Sequence, residues 1–374
     1  MTAQIRLPGR AAPLELTAPA WADSYRAPVS RRVYAAAHVA ATPGGEIDWT
    51  ATIAFREHLW EHGFAVAEAM DTSQRGMGLS WPQARTLIMR SAARAAELRT
   101  PIACGAGTDQ LSSGPHPLAE IIGAYAEQLS AVQDAGAEVI VMASRALAAS
   151  ARSRDDYLGV YGELLEQARQ PVILHWLGAA FDPALRGYWG SEDFTAAAGT
   201  VLELIRRCPG KVSGVKLSLL NAGQEVTLRR LLPPGVRMYT GDDFNYADLI
   251  RGDEHGHSDA LLGIFAAITA PAAAALRALD AGDPGGYDAA MGPTVELSRV
   301  IFEAPTYYYK AGIAFLAWLN GLQPWFAMVD GLEARRSPGH LCRVFELAAA
   351  AGVLRDPELA VERMTEYLDR AARS

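Results

Sequence analysis

A repeated alternation of short apolar runs with helical stretches is the feature that most limits the folds open to this chain. Pro or Gly marks many of the points where an apolar run begins. Continuous apolar runs separated by amphipathic helices are typical of parallel strands that are buried on both faces. Eight such units in about 235 residues match the size of a (β/α)8 TIM barrel, so the sequence predicts that fold. The eight runs are RVYAAAHV (32–39), FAVAEA (64–69), PIACGAG (101–107), AEVIVMA (137–143), PVILHW (171–176), VSGVKL (212–217), VRMYTG (236–241) and ALLGIFAA (260–267).

The runs divide the chain into three predicted parts. Residues 1–31 form a Pro-rich lead segment, residues 32–282 form the barrel, and residues 283–374 form a C-terminal helical extension packed on the barrel. Two helices between strands are predicted at about 81–98 and 191–208. The extension is predicted to contain helices at about 285–303, 306–320, 338–350 and 356–372.

Composition excludes several classes of protein. The net charge is −8 and the Lys and Arg residues are scattered, whereas binding to nucleic acid needs clustered cations. No run of eighteen apolar residues is present, which argues against a membrane-spanning helix, and the N-terminus has no hydrophobic signal core. The three cysteines show no CxxC spacing, as expected in a reducing compartment. We therefore expect a cytoplasmic enzyme with a small-molecule substrate and no nucleic-acid or membrane partner.

Lysine usage singles out one position. The chain has 31 arginines but three lysines, at positions 211, 216 and 310. Lys216 lies near the end of the apolar run VSGVKL, where a charge is costly to bury, and a desolvated lysine can act as a neutral amine that attacks a carbonyl. Lys310, within an apolar helical stretch, is the second candidate, and Lys211 follows a Pro-Gly turn. Codon bias that leaves Lys216 without a function is the alternative explanation.

The barrel prediction also locates a candidate site. Active sites of this fold lie at the carboxyl ends of the strands and in the loops that follow them. Ionisable and polar residues of several types therefore converge on one rim. In strand order they are His38, Glu68 with Asp71-Thr72-Ser73, Gly105-Ala106-Gly107, Ser144-Arg145, His175-Trp176, Lys216, and Asp242-Asp243.

The order of these motifs resembles the class I aldolase superfamily of dihydrodipicolinate synthase and N-acetylneuraminate lyase, over about residues 30–320. The sixth-strand segment VSGVKLS resembles the Ile/Val-Gly-Ile/Val-Lys run of that superfamily, which implies that Lys216 is the Schiff-base lysine. PIACGAGTDQ (101–110) is similar to its third-strand segment. YTGDDFNYADLIRGDEHG (239–256) is similar to its seventh-strand Ser-Gly-Asp-Asp segment and the turn after it. The resemblance indicates a divergent branch.

The chain departs from that superfamily at three places. Asp71-Thr72-Ser73-Gln74-Arg75 stands where members have Gly-Thr-Thr-Gly-Glu, so the hydroxyl pair remains while the glycines and the acid do not. His175 stands where members have a proton-shuttling tyrosine. The arginine that members use for a substrate carboxylate is missing from Gly178-Ala179-Ala180-Phe181. Arg186 and Arg75 are the candidates to replace it, and pyruvate is in doubt as the substrate.

These residues predict a Schiff-base aldolase or lyase that acts on a sugar-derived carbonyl compound or 2-oxo acid without a cofactor. Lys216 forms the iminium, and His175 moves protons with Thr72 as a relay. Ser73, Asp71, Asp242, Asp243 and Glu68 are the candidate substrate-binding residues. Structural explanations are open for several of them: His175 as a core histidine, Thr72 as a helix cap, and Asp242 or Asp243 as an N-cap.

Two rival functions are open at this stage. His38, Glu68, Asp71 and His175 are residue types that bind divalent metals in TIM-barrel sugar isomerases, epimerases and metal-dependent aldolases. Glu68 would need a partner such as a metal or Lys216 if it faced the barrel lumen. The other rival is a non-catalytic sugar-binding barrel. The apolar segment PTYYYKAGIAFLAWLNGLQPWFAMV (305–329) exceeds what one helical layer buries and predicts a homo-oligomer, a dimer or a tetramer.

Overall fold

The computed structural model describes residues 2–71 and 74–373. Eight strands form a closed parallel barrel in the order β10-β3-β4-β5-β6-β7-β8-β9, and two more form a separate antiparallel pair. The predicted (β/α)8 TIM barrel with C-terminal helices is confirmed. The strands are β1 (Thr2–Ile5), β2 (Leu14–Thr17), β3 (Val33–Ala36), β4 (Ala65–Glu68), β5 (Ile102–Ala106), β6 (Glu138–Val141), β7 (Val172–Leu177), β8 (Val212–Ser218), β9 (Arg237–Thr240) and β10 (Asp259–Leu262).

Helices occupy most of the stretches between the strands and nearly all of the C-terminal part of the described chain. They are α1 (Trp49–Glu61), α2 (Trp81–Leu98), α3 (Leu118–Asp134), α4 (Arg145–Ser150), α5 (Arg154–Gln167), α6 (Phe194–Arg207), α7 (Ala222–Leu231), α8 (Tyr246–Arg251), α9 (Thr269–Asp280), α10 (Pro284–Met291), α11 (Thr294–Ile301), α12 (Lys310–Leu319), α13 (Pro338–Ala350) and α14 (Pro357–Ala371).

The chain forms two compact units. The barrel unit consists of Arg31–Ala36 and Ala65–Leu262, and it contains all eight barrel strands with helices α2 to α8. The helical unit consists of the chain up to Ser30, Ala37–Phe64 and the chain from Gly263 onward. It contains the hairpin β1–β2 and the remaining helices.

The interior of the barrel is a packed core. Tyr34 and Tyr239 meet there edge to edge, with ring centroids 5.8 Å apart. Because successive side chains of a strand point to opposite faces, these core positions identify which residues face the lumen. The buried core positions are Tyr34, Ala36, Ala65, Ala67, Met70, Ala103, Ile140, Ile173, Tyr239 and Leu261.

Helix α2 shows how local sequence sets an element of the barrel unit. Ser80 precedes the helix in an extended conformation, and its backbone N–H donates to Oε1 of Gln83 at 2.9 Å. Pro82 lies in the first turn, where a missing N–H costs nothing. Arg99 ends the helix in the left-handed conformation. These signals explain why the predicted range of 81–98 matches the structure.

The helical unit contains a helix that is buried on every side. All ten residues of α12 are buried, from Lys310 to Leu319. Packing inside the described chain therefore buries the helical part of the apolar stretch 305–329, whereas Trp325 in the same stretch is 50% exposed. Oligomerisation stays a prediction that rests on sequence alone. No helix among the described residues combines the length and the apolar character that a membrane span requires.

Three details differ from the sequence-based prediction. The lead segment contains the hairpin β1–β2, in which Thr2 pairs with Thr17. The eighth barrel strand ends at Leu262, and the rest of its apolar run turns into a short 3₁₀ helix at Ile264–Ala266. The first C-terminal helix is two helices, α10 and α11, because Pro293 lacks the N–H needed to continue α10.

We expect the stability of the barrel unit to depend on pH through Glu225 of α7. Burial raises the pKa of this carboxyl to about 8, with hydrogen bonds from Ser258 and Thr240 opposing and the charge of Asp242 adding to the shift. The folded state thus holds a proton that the unfolded state loses above about pH 4.5. The free energy of unfolding therefore falls as pH rises from about 4.5 towards about 8. Relative to wild type, Glu225→Gln should gain at most about 1.4 kcal/mol in unfolding free energy per pH unit between these values.

Urea unfolding at a series of pH values measures this difference. The matched control is Glu163→Gln, since Glu163 is exposed on α5 and should keep the wild-type pH dependence. Parallel curves for wild type and Glu225→Gln would show that Glu225 is not a proton-binding group of the folded state.

Candidate active site at the carboxyl end of the barrel

Lys216 lies on the lumen face of β8. Its register partners on the neighbouring strands are His175 of β7 and Tyr239 of β9. Tyr239 belongs to the barrel core, so Lys216 and His175 face the same interior. The Lys216 side chain is 5% exposed, and its Nζ lies 3.7 Å from Sδ of Met70. The structure therefore places the amine inside the barrel near the carboxyl ends of the strands.

Glycines make room for this lysine and its neighbour. A Cβ on Gly241 would collide with Oγ of Ser218 and would approach Cε of Lys216 to 2.7 Å. A Cβ on Gly214 would come within 2.5 Å of the ring of Tyr239. The Gly of the Thr-Gly-Asp-Asp segment is thus required by the side chains of Ser218 and Lys216.

The chain also folds inward over the barrel after β4. A Cβ on Gly105 of β5 would lie 2.5 Å from the carbonyl oxygen of Ala69 and 2.7 Å from Cα of Met70. Ala69 has a φ of 49°, which is strained for a residue with a side chain. This turn delivers Met70 to the position where its thioether meets Lys216.

His175 is paired with a hydroxyl that the sequence analysis did not identify. Its Nε2 lies 3.2 Å from Oγ of Ser218, and both side chains are buried. Its Nδ1 is buried without a hydrogen-bond partner among the described residues. Burial, reinforced by the charge of Lys216, lowers the pKa of His175 well below its usual value. His175 is therefore a neutral imidazole at neutral pH rather than the readily protonated group that the sequence suggested.

Ser218 joins Lys216 and His175 on one face of the barrel. It is two residues after Lys216 on β8, and this spacing puts both side chains on the same side of the strand. Its Oγ and Cε of Lys216 flank Gly241. Its spacing of two residues from Lys216 was the sequence signal that could have identified Ser218 as a residue of the lumen face.

Asp242 has a local structural role. Its Oδ1 accepts hydrogen bonds from the backbone N–H groups of Phe244 (2.9 Å) and Asn245 (3.0 Å), and its Oδ2 accepts one from Nδ2 of Asn245. These bonds fix the turn that leads into α8, whose N-cap residue is Asn245. Asp243 is buried in the same turn.

Among the residues predicted at the end of β4, Glu68 does not face Lys216. Glu68 is fully buried, but it alternates with Ala67 of the core, and its Oε2 accepts a hydrogen bond from Ser91 of α2 at 2.7 Å. Its carboxylate thus faces the helix layer and not the lumen. Asp71 is half-buried, and its carbonyl accepts from the N–H groups of Gln74 and Arg75. Thr72 and Ser73 lie outside the described residues.

A buried ion pair holds the loop after β4. Arg75 is 1% exposed and donates to Asp109 through Nε (3.0 Å) and Nη2 (2.5 Å). Its Nη1 donates to the carbonyl of Ala69, and its Nη2 also donates to Oε1 of Gln128. Burial alone would raise the pKa of Asp109, but the charge and hydrogen bonds of Arg75, with a hydrogen bond from Gln128, hold it below its ordinary value. The guanidinium of Arg75 is therefore already bound by Asp109, Ala69 and Gln128.

The other candidate cations lie elsewhere. Arg186 is largely exposed and pairs with Glu192 at 3.6 Å. Lys310, the second candidate for the reactive amine, belongs to the helical unit, where its Nζ donates to the carbonyl of Ala37 at 3.1 Å. Lys211 donates to the carbonyl of Ala168 at 2.8 Å.

The residues of the metal hypothesis show contacts of their own. His38 belongs to the helical unit, where its Nε2 meets Oε1 of Gln323 at 2.5 Å, and burial lowers its pKa to about 3. Glu68 bonds to α2 and His175 to Ser218, as described above. Within residues 2–71 and 74–373, no group of three or more His, Cys, Asp or Glu side chains is arranged to hold a metal.

A cavity of about 390 Å³ opens at the carboxyl ends of β5 and β6. Its polar lining includes Thr108, Asp109 and Arg145, and Met142 and Ala146 supply apolar surface. The cavity lies on the face of the barrel where this fold carries its chemistry. Arg75 also lines it.

These features define a TIM barrel with a buried lysine on the sixth barrel strand, and the fold matches the resemblance found in the sequence. The chain belongs to the family described as "Protein of unknown function (DUF993)", whose model matches residues 6–372. No curated protein sequence matches the chain.

Solved structures of the dihydrodipicolinate synthase family share the fold. A putative dihydrodipicolinate synthetase from Pseudomonas aeruginosa is 16% identical with a TM-score of 0.68, covering 86% of this chain and 99% of that one. Dihydrodipicolinate synthase from Cyanidioschyzon merolae with lysine bound is 18% identical with a TM-score of 0.66, covering 87% and 99%. A prophage protein of that family from E. coli K12 in complex with pyruvate is 15% identical with a TM-score of 0.65, covering 85% and 99%. At these identities the likeness shows the fold.

We expect Gly241→Ala to destabilise the barrel unit, because the added methyl group collides with Ser218 and crowds Lys216. Overpacking of this kind typically costs about 1–3 kcal/mol. Gly159→Ala is the matched control, since a Cβ there meets no heavy atom within 4 Å and the residue lies inside α5. The control should be stabilised by about 0.5–1 kcal/mol. Urea unfolding of both variants tests the claim, which fails if Gly241→Ala is as stable as wild type.

Proposed function

We propose that this protein is a Schiff-base (class I) aldolase or lyase that acts on a sugar-derived carbonyl compound or a 2-oxo acid, with Lys216 forming the iminium. The observation that carries the proposal is the buried amine of Lys216 on the lumen face of β8, beside the His175–Ser218 pair. The solved structures of similar fold support it, because one is a dihydrodipicolinic acid synthase family protein in complex with pyruvate.

The chemistry begins at the carbonyl carbon of the substrate. The neutral amine of Lys216 attacks this carbon to give a carbinolamine, which loses its oxygen as water and leaves the cationic iminium. The iminium accepts the electron pair of a neighbouring bond as that bond breaks, and an enamine forms. In cleavage, the hydroxyl on the departing carbon gives its proton to a base as the carbon–carbon bond breaks, and the fragment leaves as an aldehyde. In the other case a carbon–hydrogen bond breaks and the base takes that proton. Protonation of the enamine and hydrolysis by water release the product and restore the amine.

Each of these steps moves a proton near Lys216. Ser218 Oγ would pass protons between Nε2 of His175 and the reacting oxygen, with Thr72 as a further relay. Burial, and secondly the positive charge of Lys216, lower the pKa of His175, so His175 is neutral while Lys216 carries a proton. When Lys216 is the neutral nucleophile, its charge no longer opposes protonation of His175, while burial still does. Asp243 and Asp71 are the proposed contacts for substrate hydroxyls.

Borohydride trapping tests the iminium. A panel of 2-oxo acids, keto sugars and aldehydes is incubated with the protein, and borohydride then reduces any iminium to a stable secondary amine. We expect one adduct per chain, which peptide mapping assigns to Lys216. Lys216→Arg should abolish the adduct, whereas the control Lys211→Arg should retain it. An adduct at Lys310, or an equal yield from Lys216→Arg, would refute the proposal.

Two substitutions test the proton relay. General acid–base catalysis typically contributes about 10²–10⁴-fold, so His175→Gln should slow turnover of the trapped substrate by about that factor. Ser218→Ala should slow turnover in the same direction, while both variants still form the adduct at Lys216. Ser213→Ala is the matched control, since the Ser213 hydroxyl lies on the same strand but donates to the carbonyl of Val172. Turnover that is equal in Ser218→Ala and Ser213→Ala would exclude Ser218 from the relay.

A further inference from the structure

The cavity at the ends of β5 and β6 contains an arginine that no step of the proposed chemistry uses. Arg145 is the first residue of α4, four positions after the end of β6, and is exposed, with 43% of its side-chain surface accessible. Its Nε donates to Oδ2 of Asp182 at 2.5 Å. Among the residues that the structure describes, this is the hydrogen bond that Arg145 makes, so Nη1 and Nη2 remain available to a ligand.

The guanidinium has a defined position. Asp182 is buried, and its Oδ1 accepts from the N–H of Ala184, so the carboxylate that anchors Arg145 is itself fixed. A Cβ on Gly76 would come within 2.9 Å of Nη1, which shows that the guanidinium lies across this glycine. A planar guanidinium whose Nη1 and Nη2 make no hydrogen bond to the described residues is suited to a carboxylate or phosphate group, which it can bind in a bidentate manner.

The rest of the lining suits a small polar molecule. Ser112 and Ser113 contribute hydroxyl groups, whereas Leu111 and Ala149 contribute apolar surface. Thr108 is held by a hydrogen bond of 2.6 Å between its Oγ1 and Oγ of Ser144. The volume of about 390 Å³ lies within the range of small-molecule sites. Asp109 does not repel an anion fully, because its carboxylate is neutralised by the bidentate bond from Arg75.

The cavity lies near the strand that carries Lys216. Strands β6 and β8 are separated by β7 alone, which corresponds to about 10 Å between them. Met70 contacts Lys216 and packs on Gly105 of β5, and Gly107, the residue after β5, lines the cavity. Met70 has an unbranched and adaptable side chain, so a substrate can displace its thioether to reach both groups.

The geometry points to an anion subsite: the cavity binds a carboxylate or phosphate group of the substrate through Nη1 and Nη2 of Arg145, several carbon atoms from the carbonyl that reacts. The identity of the reacting end rests on the proposed function, whereas the binding of the anion does not. The substrate class is therefore a carbonyl compound with a distal anionic group, and not pyruvate. A substrate other than pyruvate agrees with the absence of an arginine from Gly178-Ala179-Ala180-Phe181.

Calorimetric titration of the full chain tests the subsite with probes that cannot form an iminium. Glutarate represents the carboxylate source, glycerol 3-phosphate the phosphate source, and erythritol a neutral molecule of similar size. We expect one anion to bind at millimolar concentration or below and erythritol not to bind. Arg145→Gln should weaken anion binding by about tenfold to a hundredfold, the effect of losing hydrogen bonds to a charged group. The anion that binds more tightly identifies the source.

Two further variants control for side effects. Arg152→Gln removes the same charge from an exposed arginine that does not line the cavity, and it should bind the anion as wild type does. Asp182→Asn removes the counter-charge of Arg145 but keeps an oxygen that can accept from its Nε, so anion binding should stay equal or become tighter. A cooperative urea unfolding curve for Arg145→Gln would exclude a loss of folding as the cause of its weaker binding. The subsite is refuted if Arg145→Gln and Arg152→Gln bind alike, if erythritol binds as well as the anions, or if neither anion binds. None of these results depends on borohydride trapping at Lys216, so the subsite and the proposed function can fail separately.

Discussion

The burial of one amine inside the barrel is the constraint on which the site depends. A lysine on the lumen face of β8 is 5% exposed, and an isolated ammonium is costly to transfer out of water. The surrounding chain is adapted to the volume of this side chain. Gly241 leaves space for its methylene groups, and Met70 reaches its Nζ through the inward turn at Ala69.

Arg75 and Lys216 are both buried in the barrel unit, but their surroundings differ. Arg75 is held by a bidentate carboxylate, two carbonyl groups and Gln128, and this network fixes the loop after β4. Removing one partner of such a pair typically costs about 3–5 kcal/mol, so Arg75 is a structural element. The Nζ of Lys216 lies near the thioether of Met70, and burial together with the charge of Lys216 lowers the pKa of His175.

Much of the fold was predictable from the sequence, because eight apolar runs and the turns between them mark the strands directly. The ends of α2 were predictable for the same local reason, through Ser80 and the Pro after Trp81. The burial of Lys216 was predictable because the residue stands in an apolar strand, whereas its role as the reactive amine stays a prediction. The resemblance of its segment to a known superfamily agreed with that choice.

The remaining features depend on information that a single strand does not carry. Strands that are buried on both faces show no alternation of apolar and polar residues. The sequence therefore did not show that Glu68 faces Ser91 of α2 instead of the lumen. The pair of Arg75 and Asp109 joins loops 34 residues apart, and only the closed barrel brings them together. The hairpin β1–β2 lies in a segment whose prolines suggested irregular structure. The low pKa of His175 follows from its burial, which depends on the packing of the whole barrel.

The central claim is that Lys216 forms an iminium with the carbonyl carbon of the substrate, and oxygen exchange tests it most directly. Iminium formation expels the carbonyl oxygen as water, and hydrolysis replaces it with oxygen from the solvent. A 2-oxo acid or keto sugar with a heavy-oxygen label in its carbonyl group should therefore lose the label faster with the wild-type protein than in buffer. Mass spectrometry would follow this loss, and the Lys216→Arg variant should reduce it to the rate in buffer. Equal exchange by wild type and Lys216→Arg, with a compound that the wild type converts, would contradict the account.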